Sequence, residues 1–284
     1  MNAQLKPLTS GIRLNVPWAD YLAIPAVSIT RLKELGRSPQ HYRHRLMNPK
    51  ETPALSLGRA AHCAVLEPER FNRDHAVWTE RTESGKMAPR NSKKWDAFLS
   101  DHADKSILSL DEYNSSLAMQ SAVRSDAHAM RYLGHGEAEV TMLAEIYGHA
   151  CKGRADWVTE IDGRDALVGL KSARDCRPRQ FGRQSANLGY YLQWGFYYDL
   201  FKTVTGREPL MKEIVVENEA PYAVTVFNIP DEVIQQGCDE YALLLEQLAE
   251  CERNQSWPGP AISEIDLVLP AWVYGEEEIT YVDD

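Results

Sequence analysis

Two neighbouring strand-like runs, 150–159 and 165–173, each holding a charge among apolar neighbours, constrain this chain more than anything else in it. Asp162-Gly163 lies between them. A two-residue hairpin turn needs positive φ at its centre, which these residues tolerate well, so the runs are predicted to be antiparallel strands. Asp156, in Gly153-Arg154-Ala155-Asp156-Trp157-Val158, and Lys171, in Leu170-Lys171-Ser172, then become charges on central strands. Burying a lone charge is costly, so each needs a partner, a metal or water. An Asp156–Lys171 ion pair across the hairpin is the plain structural reading; a chemical site is the other.

The rest of the chain supplies the layers for such a sheet. Ser28 or Thr30 caps a helix, and Ser38-Pro39 starts a second, since proline suits a first helical turn. Residues 57–66 form a small-residue helix that stops at Glu67-Pro68. The polar, basic stretch 80–94 reads as a mobile loop, and helical periodicity returns over 91–101 and 111–131. A strand over 139–147 precedes the hairpin; one long helix over 178–203, strands over 212–218 and 222–229, and a helix over 231–252 follow it. The expected organisation is an irregular lead-in (1–26), one domain (27–255) and a C-terminal extension packed on it (256–284). The fold class is α/β, a central mixed sheet flanked by helices.

Composition narrows the function. There are 31 Lys and Arg against 41 Asp and Glu, a net charge of −10, with 44% hydrophobic residues. That is an ordinary globular composition. No apolar run reaches the roughly 18 residues of a membrane span, and the first residues are polar, so a cytoplasmic protein with no membrane partner is expected. Cys63, Cys151, Cys176, Cys238 and Cys251 are too scattered for a disulfide framework, a zinc site or an iron–sulfur cluster. Acidity argues against non-specific adhesion to nucleic acid but not against a local basic face. Basic residues cluster three times: Arg31, Lys33, Arg37, Arg43, Arg45 and Lys50; Lys86, Arg90, Lys93 and Lys94; Arg174, Arg177, Arg179 and Arg183. A solvated surface is the ordinary explanation of each.

An ordered series of segments resembles the exonuclease VIII (RecE-type) branch of the PD-(D/E)XK nucleases. Ser28-Ile29-Thr30 with Ser38-Pro39-Gln40-His41-Tyr42 is similar to its N-terminal element, and Leu57-Gly58-Arg59-Ala60-Ala61-His62-Cys63-Ala64-Val65-Leu66 to its histidine helix. Glu139, Gly153-Arg154-Ala155-Asp156, Leu170-Lys171-Ser172 and Gly189-Tyr190-Tyr191-Leu192-Gln193-Trp194-Gly195-Phe196-Tyr197 continue in the same order. The resemblance spans roughly 26–230 and implies a PD-(D/E)XK restriction-endonuclease-like core.

It also implies roles. Asp156 would bridge metal ions, with His62 and the backbone carbonyl of Leu170 as further ligands. Lys171 would orient or help deprotonate the attacking water. Gln193 and Tyr197, four apart on one helix face, would border the site. Read without the resemblance, His62 is a satisfied core histidine, Gln193 a polar residue at a helix–sheet seam and Tyr197 a packing residue. Glu139 is either a site carboxylate or the partner of an arginine. The implied cofactor is Mg²⁺ or Mn²⁺, two ions in an intact site. The implied activity is 5′→3′ digestion of double-stranded DNA ends, leaving 3′ tails for recombination. The implied partners are DNA, further copies of the chain in a trimeric or tetrameric ring, and a single-strand annealing recombinase. A ring would reconcile the acidic total with DNA binding if Arg174, Arg177, Arg179, Arg183, Lys86 and Arg90 lined its channel.

One position departs from the pattern. The family carries Asp or Glu two residues before the lysine; this chain has Gly169, on the same side of the strand as Lys171. Asp165 and Asp175 sit at the strand ends and do not inherit the place by spacing. Impaired catalysis is therefore expected, through inactivation of an active nuclease or natural loss of hydrolysis, unless Glu139 or another acid restores the site in space. The alternative functions are a non-catalytic DNA-binding or assembly module, and a helicase-associated or CRISPR-type nuclease, for which cluster cysteines are lacking.

Overall fold

Alternating apolar residues on strands that are covered on both faces must feed two cores, and this chain builds both. The structure, a computed structural model, describes residues 10–48, 53–261, 263–269 and 273. In chain order the elements are β1 (Gly11–Arg13), α1 (Trp18–Ala23), α2 (Ile29–Arg37), α3 (Pro39–Met47), α4 (Pro53–Leu66), α5 (Pro68–Asp74), β2 (His75–Val77) and α6 (Lys93–Asp101). Then come β3 (Ser106–Leu108), α7 (Leu110–Ser125), α8 (Ala127–Leu133), β4 (Glu137–Ile146), β5 (His149–Ile161), β6 (Arg164–Ala173) and α9 (Pro178–Asn187). The last are α10 (Tyr190–Thr205), β7 (Leu210–Glu217), β8 (Val224–Asn228) and α11 (Asp231–Asn254).

Six strands form one mixed sheet in the order β1-β4-β5-β6-β7-β8, and β2 and β3 make a small separate pair. Neighbours in the large sheet are antiparallel except β6 and β7. A parallel pair needs a crossover, and α9 and α10 provide it. The predicted hairpin turn is present, with Asp162 and Gly163 at φ 52° and 76°. On one face Met142, Ala144, Ala155, Leu167 and Val215 pack with Leu32, Phe196, Leu200, Tyr241 and Leu245. On the other, Val168, Leu170, Ile214 and Val216 pack with Ala61, Val65, Met119 and Val123. The fold class read from the sequence is the one observed.

Several expectations need correction. The described part of the lead-in belongs to the sheet: β1 pairs along the edge of β4, and α1 is tied down by Lys152, which is 2% exposed. Its ammonium donates to the carbonyls of Tyr21 (2.8 Å), Leu22 (3.2 Å) and Ile24 (2.8 Å) at the end of α1. A helix C-terminus leaves such carbonyls without partners, so Lys152→Met should cost about 2 kcal/mol, read as a lower urea midpoint. The single helix over 178–203 is two, because Gly189 at φ 60° breaks it. The helix over 111–131 is also two, because the Asp126 side chain accepts from Ala129 N–H and caps a new start. The 80–94 stretch folds back on itself: Arg81 bridges to Met87, and the Trp78 indole donates to Ala88 carbonyl at 2.9 Å. At the start of the C-terminal extension Trp257 stacks on Tyr42 and Pro258 carbonyl accepts from Gln40 N–H. Lys50 and the acidic residues Glu276–Glu278, Asp283 and Asp284 lie outside the described residues.

At Gly195 and Gly237, helices α10 and α11 meet with no side chain between them. A Cβ on Gly195 would lie 2.5 Å from the Gly237 carbonyl carbon, and one on Gly237 would lie 2.9 Å from the carbonyl carbon of Tyr191. Both distances are far inside van der Waals contact, so glycine at each position sets the helix separation. That contact fixes α10, which carries Gln193, Trp194 and Tyr197, over the middle of the sheet.

Candidate metal centre

The β5–β6 ladder ends at Trp157↔Val168, one position short of Asp156 and Gly169. In the opening fork, Asp156 accepts the Leu170 N–H at 2.9 Å. Glu139 stands across from it on β4, bracketed by the pairs Ala138↔Trp157 and Val140↔Ala155. Its φ is 54°, a conformation that costs a residue with a Cβ and gathers at functional sites. Side-chain alternation reverses here: Ala155, Met142 and Ala144 serve one core, whereas Ala138 and Trp157 pack against the other. The acids therefore sit on the seam between the cores.

His62, on α4, approaches that seam from one layer, its Nδ1 3.9 Å from Asp156 Oδ2. Lys171 approaches along β6, its ammonium 3.6 Å from Asp156 and 3.5 Å from the Leu170 carbonyl. His62, Glu139 and Asp156 each offer a ligand atom, all within 4.8 Å of one another. The structure brings His62, Glu139, Asp156, Leu170 and Lys171, all named from the sequence, close together. Glu139 lies in this group and also pairs with Arg154 at 2.6 Å. Arg154 is buried, its guanidinium over the rings of Trp18 and Tyr21.

Burial and neighbouring charge set the protonation states. Desolvation lowers the pKa of His62 in spite of Asp156, which favours the neutral imidazole a cation can bind. Burial would raise Asp156, but Lys171 and His62 outweigh it and hold the carboxylate ionised. Burial would likewise depress Lys171, and the carboxylates of Glu213 and Asp156 reverse the shift. Lys171 is thus held as an ammonium, which suits orienting a water or phosphate oxygen better than removing a proton. Burial, then Asp156, push Glu139 up to about 7.

Two further residues belong here: Glu213, which the sequence reading passed over, and Lys33, which it counted only within a basic cluster. Glu213 on β7 is 1% exposed; its Oε1 lies 3.3 Å from the Lys171 ammonium, and its Oε2 accepts from the Trp194 indole at 2.6 Å. The sequence signal was weak: Glu213 stands next to Lys212 at the start of the apolar run Ile214-Val215-Val216, not within it. Lys33 on α2 lies over the ring of Tyr190, as Lys171 does. Burial, with Lys171, lowers its pKa to about 8.

The remaining candidates divide into near and peripheral. The Tyr197 hydroxyl meets the Arg154 main chain and the Gln193 side chain, and burial and Asp156 raise its pKa. Arg174, Arg179 and Arg183 are exposed beside or on α9, and Arg177 is engaged by Asp175 at 2.6 Å. Lys86 and Arg90 are exposed on the folded 80–92 turn, with Arg90 over the Trp95 ring. None of these six touches the central group in any described contact. A cleft of about 630 Å³, lined by Glu67, Arg70, Asp74, Glu139 and Arg154 among others, opens onto the centre from the β4 side.

Two carboxylates, a neutral imidazole and a main-chain carbonyl form a hard donor set that fits a divalent cation. Binding must displace the proton that Glu139 holds below about pH 7. Mn²⁺ affinity should therefore rise roughly tenfold per unit up to about pH 7 and then level off, measurable by calorimetry. Without the cation the same shift acts in the opposite sense on stability. The folded state binds this proton more tightly than the unfolded state, so the Glu139 contribution falls as pH rises from about 4.5 to about 7.

A family described as "PDDEXK-like domain of unknown function (DUF3799)" matches residues 28–266. A crystal structure from Eubacterium rectale, described as a "putative exonuclease", superposes with a TM-score of 0.63 at 13% identity, covering 92% of this chain and 98% of that one. A structure described as SSO0001 covers 76% of this chain and 84% of its own at 15% identity, with a TM-score of only 0.29. The protein VC1899 from Vibrio cholerae covers 84% and 57% at 10% identity, with a TM-score of 0.24. No curated protein matches the chain. Among the described residues, no helix is long and apolar enough to cross a membrane.

Proposed function

Since the chain belongs to the PDDEXK-like family DUF3799, we propose that it is a divalent-metal-dependent nuclease of the exonuclease VIII (RecE) type, acting 5′→3′ on double-stranded DNA ends. The observation that carries this reading is the convergence of His62, Asp156 and Lys171 on one seam, with Asp156 3.9 Å from the imidazole and 3.6 Å from the ammonium. Asp156, Glu139, His62 and the Leu170 carbonyl would hold Mg²⁺ or Mn²⁺, two ions in a complete site. Bound cation neutralises phosphate charge and makes water a stronger nucleophile.

The chain's own groups do the rest. Asp156 stays ionised through its two basic neighbours, and its hydrogen bond from Leu170 N–H fixes its direction. Lys171 donates from its ammonium toward the attacking water or a phosphate oxygen. Arg154 holds Glu139 in place at 2.6 Å. Tyr197, itself met by the Gln193 side chain, braces the β5 main chain at Arg154. The exposed arginines of the α9 region and Lys86 and Arg90 would follow the DNA backbone, inside a ring of three or four copies. The product, a 3′ single strand, would pass to an annealing recombinase in the cytoplasm.

Linear duplex DNA labelled at either end tests this. The expected result with Mg²⁺ or Mn²⁺ is loss of the 5′ label first, and binding that weakens by about tenfold or more over a fourfold rise in salt. Closed circular DNA digested as fast as linear would overturn the end-directed reading. A second reading, a DNA-binding module without hydrolysis, is favoured by one observation, the glycine at 169. Tight salt-sensitive binding with no digestion under either metal would select it.

A further inference from the structure

Gly169 and Glu213 are direct partners in the parallel β6–β7 ladder, so side chains at these two positions project from the same face, side by side. A Cβ built on Gly169 meets the Glu213 carboxylate: both oxygens and, at 2.7 Å, the carboxyl carbon are its three nearest neighbours. Glu213 thus fills the space that a side chain at 169 would take. It does so as a buried acid with an incomplete set of partners. Trp194 satisfies Oε2, but Oε1 faces Lys171 at 3.3 Å and makes no hydrogen bond. A buried acid held this way gives weak grounds for stability, because a well-packed apolar residue would serve as well or better.

We propose that Glu213 is the relocated acid of this centre. It reaches in from β7 beside the Gly169 main chain and supplies, to a divalent cation and to Lys171, the negative charge that position 169 lacks. The glycine is then one half of an exchange, since only a residue without a side chain admits the neighbouring carboxylate. An aspartate added at 169 alone would put two acids into one space, so it is not the simple repair that the strand pattern suggests. This inference rests on the nuclease reading.

The test is a four-way comparison of folded proteins, with Mn²⁺ affinity by calorimetry and digestion of linear duplex DNA as separate readouts. Glu213→Gln, nearly the same shape, should lose Mn²⁺ affinity by about tenfold or more and digestion by about a hundredfold or more. Glu213→Ala should behave likewise. Gly169→Asp alone should melt lower and digest no better than wild type. Gly169→Asp combined with Glu213→Ala should recover both readouts to within about tenfold of wild type, a rescue that a purely structural role for Glu213 would not produce. Glu213→Gln with wild-type affinity and digestion would overturn the proposal. So would a double variant that folds yet stays as inert as Glu213→Ala. Failure of the nuclease reading looks different: wild type and Asp156→Asn would bind Mn²⁺ alike and neither would digest DNA, and the proposal would fall with it.

Discussion

Asp156→Asn should leave a folded protein that digests DNA about a thousandfold more slowly or not at all. The asparagine oxygen can still accept from Leu170 N–H, which Asp156 does at 2.9 Å, so the fork between β5 and β6 keeps its shape. What disappears is the negative charge. That charge is the element shared by His62, at 3.9 Å, and Lys171, at 3.6 Å, and it is one of the three donors grouped within 4.8 Å. Glu213 still pairs with Lys171, so the lysine is not abandoned in the interior and a large loss of stability is not expected. Mn²⁺ titration and digestion of linear duplex should therefore collapse together while the melting temperature moves by only a few degrees. Wild-type digestion by this variant would place the chemistry elsewhere.

Gly237→Ala should be strongly destabilising, because its methyl would enter the main-chain contact between α10 and α11. The added carbon would lie 2.9 Å from Tyr191 carbonyl carbon and 3.2 Å from Gly195 nitrogen. These are main-chain atoms of α10, so no rotamer change relieves the clash and the helices must part. Overpacking of side chains costs about 1–3 kcal/mol; against rigid backbone the loss should reach about 3 kcal/mol or more, read from urea denaturation. Separation of α10 also moves Trp194 away from Glu213, so residual folded protein should have weakened activity. Exposed Gly182, where a Cβ meets nothing within 4 Å, is the control that should tolerate alanine.

The central hairpin was legible because strand-type runs lie on either side of Asp162-Gly163, and Asp156 and Lys171 drew notice as charges with apolar neighbours. The position of His62 followed from family resemblance, since a lone histidine on a helix carries no information about which strand it faces. The break at Gly189 was a backbone event inside an unbroken amphipathic pattern, and apolar spacing does not report φ. The sheet role of residues 11–13 was hidden because three residues are too few to show periodicity; their pairing is decided by the edge of β4. Glu213 was missed for a different reason. Motif reasoning looks along one strand, whereas the acid comes from the next strand over, in the register Gly169↔Glu213 that only the folded sheet defines. The same limit applies to Gly195 and Gly237, whose need for glycine exists only once two distant helices touch.

Because the polar centre lies where the strand alternation reverses, the groups around it come from opposite faces of the sheet: His62 from the α4 side, and Glu213, which accepts from the Trp194 indole of α10, from the other. An ion gripped there would act as a rivet through the sheet, clamping the two helical layers to each other. Occupancy would then be felt as global stiffening, and the amides protected from exchange by it would include some far from any ligand, in both halves of the sandwich.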